Sequence, residues 1–174
     1  MNTLSSSRVR LRAAQPGDRD RVSAFLTRLS PESMRARYMG PALLKQPILD
    51  RELSRMLDFT QSNHTVVVAI DDGDIRGIGE FVKSEIDGNR AEVALMVEDA
   101  FQGRGMGTSL FLELEQRALD HGIVAFTGEV ANDNWQVMAM LRRADRIVRM
   151  QPGYASTYFQ MLLHDAQAPE ERAA

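Results

Sequence analysis

AEVALMVEDAFQGRGMGTSLFLELEQRAL, from Ala91 to Leu119, decides how the rest of the chain is read. Its first seven residues alternate, with Val93, Leu95 and Val97 on one face and Glu92, Ala94 and Met96 on the other, which predicts a strand. Its last third predicts an amphipathic helix: Leu110, Phe111, Leu114 and Ala118 share a face, Glu113, Gln116, Arg117 and Asp120 lie mostly off it, and His121-Gly122 supplies a C-terminal stop. Between them lies Gln102-Gly103-Arg104-Gly105-Met106-Gly107-Thr108. Alternating glycines let a backbone turn sharply and approach a ligand, and a helix N-terminus offers unpaired N–H groups. A strand, a glycine corner and a helix start together make a phosphate site.

Two common phosphate patterns do not fit. A nucleotide-triphosphate loop ends in Gly-Lys-Ser/Thr, and the corner holds no lysine. A dinucleotide fold needs G-x-G-x-x-G, whereas the spacing here is G-x-G-x-G. The corner instead resembles motif A of the GNAT acetyltransferase superfamily, Q/R-x-x-G-x-G/A, with Gln102, Gly105 and Gly107 at the defining positions and Gly103, Arg104 and Met106 at the variable ones. That resemblance implies acetyl-CoA as cofactor. Its pyrophosphate would rest on the amides from Gln102 to Thr108, and its pantetheine arm on the strand backbone at Met96 and Val97.

Composition narrows the classes. A chain of 174 residues with 44% hydrophobic and 26% charged side chains is expected to form one soluble domain with a substantial core. A net charge of −3 gives no support to nucleic-acid binding. With no cysteine there are no disulfides, no thiolate metal sites and no cysteine acyl-enzyme. No apolar run approaches the roughly 18 residues of a membrane span, and the N-terminus has no apolar signal core, so a cytoplasmic protein is expected.

In chain order, Val9–Arg12 reads as a strand. Pro16 opens a helix whose buried stripe is Val22, Phe25, Leu26 and Leu29. Ser30 caps a second helix with Pro31 at its first position, and a short helix is expected over Ile48–Asp58. Thr65–Ile70 and Ile75–Glu85 read as a hairpin about Asp71-Asp72-Gly73-Asp74, an acidic turn too short for a calcium loop. After the central helix come a strand over Ile123–Val130, a helix capped at Asn132-Asp133-Asn134, and strands Arg146–Met150 and Tyr154–Leu163. Ser5–Ser7 and the polar tail from Ala166 are expected to be frayed, leaving a core of about residues 8–164. Three antiparallel strands before the corner argue against a dinucleotide-fold start. The result is an α+β chain with a mixed, mostly antiparallel sheet, in the order β-αα-βββ-α-β-α-ββ and three layers expected of a GNAT fold.

Within that superfamily the chain most resembles the acetyltransferase domain of bacterial protein lysine acetyltransferases. LTRLSPESMRARYMG is similar to their RLSPES segment, RAEVALMVEDAFQGRGMG to their strand and motif A, and ANDNWQVMAMLRRAD to their N-x-x-M…L-x-R-R-L-G-F helix. The resemblance implies Glu92 as general base and Asn134 as a cofactor-facing residue. It also implies a protein lysine as favoured acceptor, with a small amine or amino acid as the alternative. Two positions depart from the pattern: Asp145-Arg146 stands where Gly-Phe is usual, and Leu141 where many GNAT enzymes place a tyrosine, so no general acid is assigned. These departures also admit a non-catalytic acyl-CoA sensor.

Lysine with a pKa near 10.4 is about 3.4 units from neutral at pH 7, so freeing the amine costs about 4.6 kcal/mol unless a base takes the proton. Glu92 on the central strand is the first candidate for that base, and Glu80 in GIGEFVK is the reserve. His64, His121 and His164 are mutually distant, so no metal is expected. Trp135 reads as a core or rim residue, the methionines mainly as gap-filling core, and Arg142, Arg143, Arg146 and Arg149 as a solvated helix face. The C-terminal strands offer an edge for homodimerisation.

Overall fold

The computed structural model describes residues 9–40 and 46–163. Along them run β1 (Arg10–Ala13), α1 (Arg19–Arg28), α2 (Pro31–Tyr38), α3 (Gln46–Met56), β2 (His64–Asp71), β3 (Asp74–Lys83), β4 (Arg90–Val97), α4 (Met106–Asp120), β5 (Ala125–Ala131), α5 (Trp135–Arg143), β6 (Val148–Pro152) and β7 (Ser156–Leu162). The seven strands form one sheet in the order β1-β2-β3-β4-β5-β7-β6, mostly antiparallel, with β4 and β5 as its parallel pair. Three helices precede β2; the one expected over Ile48–Asp58 runs from Gln46 to Met56, with Pro47 in its first turn. The frayed ends expected at Ser5–Ser7 and from Ala166 lie outside the described residues.

The chain divides into two compact units, with the boundaries falling inside β3, β4 and α4. The first comprises the described residues up to Glu80 together with Leu95–Leu114. Pro16 belongs to a separate 3-10 turn, Pro16–Asp18, rather than to α1, and the predicted stripe of Val22, Phe25, Leu26 and Leu29 is buried throughout. Ser30 caps α2 as expected, its hydroxyl accepting from Ser33 N at 3.1 Å. The β2–β3 hairpin turns through Asp72 and Gly73, whose φ values of 51° and 82° are those of a type I′ turn. Met34, Met56, Met96 and Met106 fill core positions, whereas Met39 is exposed.

The second unit comprises Phe81–Ala94 and the described residues from Glu115. Here β5 pairs with β7 from Ala125↔Leu162 to Ala131↔Ser156, and β7 continues to β6. The rings of Phe81 and Phe126 meet at 5.9 Å in its core. Trp135 is a rim residue, 71% exposed. One of the four arginines does not belong to a solvated face: Arg146 is largely buried, and its guanidinium grips the buried Glu115 of α4, Nε to Oε1 at 3.2 Å and Nη2 to Oε2 at 2.5 Å. Arg146 stands where the family pattern has phenylalanine, and the unit carries a paired charge at that position.

A buried pair costs most when one partner is lost. E115A, which removes the carboxylate that the Arg146 guanidinium grips, is expected to lose about 3 kcal/mol in urea unfolding. The double variant E115L/R146F, which restores an apolar contact, is expected to recover most of that loss.

Candidate active site

The cofactor corner lies in the first unit. The turn Asp99–Phe101 leads from β4 to Gln102, and α4 begins at Met106. Gly103 and Gly105 have φ of 71° and 86°, a region costly for side-chain-bearing residues, and a Cβ on either would meet nothing within 4 Å. Both therefore face open space. Ser109 N donates back to Gly105 O at 3.0 Å and closes the first helical turn. The N–H groups ahead of it, at Met106, Gly107 and Thr108, have no partner from within the helix. Arg104 is exposed, its guanidinium 5.5 Å from the Phe101 ring centre. Two left-handed glycines, unpaired N–H groups and a cation fit a pyrophosphate.

The direction of the β4 backbone decides which of its residues can meet an extended ligand. Glu98 N donates to Arg76 O on β3 at 2.8 Å. Alternate residues of an antiparallel ladder turn both backbone groups to the same neighbour, so Met96 faces β3 with Glu98. Leu95 and Val97 face the other way, and Val97 O is reached by Gln102 Nε2 at 3.0 Å. Met96 was expected to offer its backbone to the cofactor, but that backbone belongs to the sheet and its side chain to the core.

The two candidate bases sit in contrasting surroundings. Glu80, in the first unit, is 3% exposed. It accepts from Arg37 Nη2, from Arg55 Nη1 and Nη2 at 3.0 and 2.8 Å, and from His64 Nε2 at 2.7 Å. Burial pushes its pKa up, but the hydrogen bonds from His64 and Arg55 and the charges of Arg37 and Arg55 outweigh it and hold the carboxyl well below the usual range. A carboxylate so firmly ionised is a weak proton acceptor, and Glu80 is better suited to anchoring α2 and α3 to β3. Glu92, on β4 in the second unit, is exposed, and among the described residues no hydrogen bond or ion pair engages its side chain.

Comparison with known proteins bears on this geometry. The model of the acetyltransferase (GNAT) family matches residues 31–144, from the start of α2 to the end of α5. The chain belongs to the GNAT acetyltransferase family. It is 30% identical over 116 residues to an acetyltransferase of Pseudomonas aeruginosa, covering 66% of this chain and 61% of that one. To the acetyltransferase Pat of Mycolicibacterium smegmatis it is 29% identical over 139 residues, covering 79% of this chain but 40% of that protein. The chain thus spans only part of the length of these relatives. Among solved structures, the GNAT domain of S. lividans PAT superimposes with a TM-score of 0.79 at 21% identity, covering 89% of this chain and 90% of that one. A putative acetyltransferase from Salmonella typhimurium, solved with its cofactor acetyl-CoA, does so with 0.73 at 16%, covering 95% and 99%.

The remaining family positions are found in the second unit. Asn134 caps α5, its Oδ1 accepting from Val137 N at 3.3 Å, which leaves the amide Nδ2 to donate elsewhere. Leu141 is 2% exposed and part of the core, so the position where many GNAT enzymes carry a tyrosine offers no acid here. His121 Nδ1 lies 2.7 Å from Arg117 O, and its ring meets Phe81 edge-on. His164 lies outside the described residues. Among the described residues no group of three or more potential ligands could hold a metal ion, and no helix is long and apolar enough to cross a membrane.

Sequence reasoning did not reach the network around the corner. Asp99 Oδ2 accepts from Ser30 N at 2.9 Å, and Oδ1 from Ser30 Oγ at 2.6 Å and Ser33 Oγ at 2.9 Å. Burial raises the Asp99 pKa, but these bonds outweigh it and hold the carboxyl below its ordinary value. The Ser-Pro-Glu-Ser segment carried a capping signal, and nothing local indicated that both serines also bind a residue 66 and 69 positions away.

The two glycines nearest the helix start separate ligand effects from fold effects. Gly105→Ala is expected to cost about 1 kcal/mol of stability through its positive φ and to weaken coenzyme A binding at least tenfold in calorimetry. Gly107 lies in the helix, where a Cβ would meet only Val97 Cγ2 at 3.8 Å. Gly107→Ala is therefore expected to gain about 0.5 kcal/mol and to keep its affinity.

The lowered Glu80 pKa gives a signed pH dependence. Its contribution is complete above the unfolded carboxylate value and is lost as pH falls through the folded one. Wild type should lose thermal stability steeply below about pH 5. Glu80→Gln should be less stable at pH 7 and lose less on acidification, as read from melting temperatures across pH.

Proposed function

We propose that the protein is an acetyl-CoA-dependent N-acetyltransferase acting directly on an amine, that a protein lysine is the acceptor, and that Glu92 is the general base. The observation carrying the reading is the corner of Gly103 and Gly105 at the start of α4, backed by membership of the GNAT family. The amides from Gly103 to Thr108 and the Arg104 cation hold the pyrophosphate. The outward backbone of Leu95 and Val97 holds the pantetheine arm, and Asn134 Nδ2 donates to the cofactor. Acetyl-CoA, when bound, supplies the acetyl group as an activated thioester. The protein's task is to present a neutral amine to it. Glu92 is assigned the proton because it is exposed and unclaimed, whereas Glu80 is locked by two arginines and a histidine. The lysine assignment is supported by the similarity to Pat over 79% of this chain. A cytoplasmic location and a homodimer remain expectations from sequence.

Incubating the protein with labelled acetyl-CoA and a cell extract is expected to label protein lysines. Label confined to small amines would replace the lysine assignment with a small-molecule one. Cofactor binding without release of free thiol would make the protein a sensor. Once an acceptor is in hand, Glu92→Gln should lower kcat by about 10²–10⁴ at neutral pH, with coenzyme A affinity unchanged and partial recovery at high pH. A flat response to the substitution rejects Glu92 as the base.

A further inference from the structure

Motif A predicts that Gln102 contacts the cofactor, but its hydrogen bonds are already committed. A primary amide has two N–H donors. Gln102 Nε2 spends them on Val97 O at 3.0 Å and on Ser33 Oγ at 3.1 Å. The Gln102 backbone N–H is directed at Asp99 O at 3.3 Å. What remains on the side chain is Oε1, an acceptor, which has nothing to offer a phosphate.

We infer that Gln102 and Ser33 are a positioning pair that fixes the last peptide of β4, and that the Gln102 side chain is a strut rather than a pyrophosphate ligand. The peptide between Val97 and Glu98 is held from both sides, its carbonyl by Gln102 Nε2 and its N–H by Arg76 O at 2.8 Å. Ser33 cannot drift from Gln102, because its own Oγ donates to Asp99 and its N–H is spent on Ser30 Oγ at 3.1 Å. The Glu98 carboxylate is fastened in turn by Arg28 Nε at 3.0 Å and Arg76 Nη1 at 3.0 Å. With that peptide fixed, the direction of the neighbouring Val97 N–H is fixed as well, and Val97 N–H is the strand donor nearest the corner that faces away from β3. The RLSPES segment thereby acquires a role: the first turn of α2 holds the end of β4 in register with the glycine corner.

This inference rests on the acetyltransferase reading only for its effect on turnover. Gln102→Ala, Ser33→Ala, the double variant, Ser33→Thr and Gln102→Met are compared by three measurements: exchange of the Glu98 amide by NMR, coenzyme A affinity by calorimetry, and melting temperature. Each alanine variant is expected to speed Glu98 exchange at least tenfold. The double variant should do no more than either single one, and Ser33→Thr should stay at the wild-type rate. Coenzyme A affinity should stay within threefold in all of them. Gln102→Met, which keeps the length but has no donor, should behave as Gln102→Ala does and covers the case in which alanine does not fold. Where an acceptor is available, kcat should fall about tenfold with KM for acetyl-CoA unchanged. Tenfold weaker coenzyme A binding in Gln102→Ala or Gln102→Met with wild-type affinity in Ser33→Ala would make Gln102 a direct ligand and overturn the inference. So would additive effects in the double variant, or unchanged Glu98 exchange. If wild type binds no coenzyme A, the acetyltransferase reading fails while the exchange measurement still decides the pair.

Discussion

The close approach of α4 to β3 governs the first unit. A Cβ at Gly79 would lie 2.8 Å from Leu114 Cδ1 and 2.9 Å from Leu95 Cδ2, and one at Gly77 would lie 2.9 Å from Leu110 Cδ1 and 3.1 Å from Met106 Sδ. Those side chains are packed, with Leu110 and Leu114 fully buried and Met106 nearly so, and have little room to yield. The two glycines of GIGEF thus let the helix lie against the strand, and the start of α4 is held one short turn beyond the end of β4. The ligand-facing geometry of Gly103 and Gly105 depends on that contact, although neither residue takes part in it.

Charge completes what packing begins. Glu80, Glu98 and Asp99 each carry a carboxylate fastened by partners from other elements: Arg37, Arg55 and His64 for the first, Arg28 and Arg76 for the second, Ser30 and Ser33 for the third. For Glu80, the buried one of the three, filling the lone pairs in this way makes ionisation part of the fold. Such a group is a poor reagent. Glu92 has none of these partners, and that difference is what favours it over Glu80 in the proposed role of base. At the departure from the family helix ending, the Arg146 guanidinium pairs with the buried Glu115 of α4.

Much of this was legible in the residue order. The alternation of β4, the apolar face of α4, the capping serine of α2, the hairpin turn and the spacing of the corner are local patterns, readable within a few residues because strand and helix repeat over short periods. Glycine spacing pointed to a phosphate site, and the surrounding segments to the GNAT family. Tertiary structure decided the partners. Glu80 meets residues 16, 25 and 43 positions away, Asp99 meets residues 66 and 69 away, and Arg146 meets one 31 away. No local period encodes such distances, because a hydrogen bond depends on where the fold delivers two groups. For that reason the sequence could nominate Glu92 as base with Glu80 in reserve, and Gln102 as a ligand, without showing which of them the fold engages. Only the folded chain, by filling the lone pairs of Glu80 and the donors of Gln102, showed that these two side chains are already engaged within the protein.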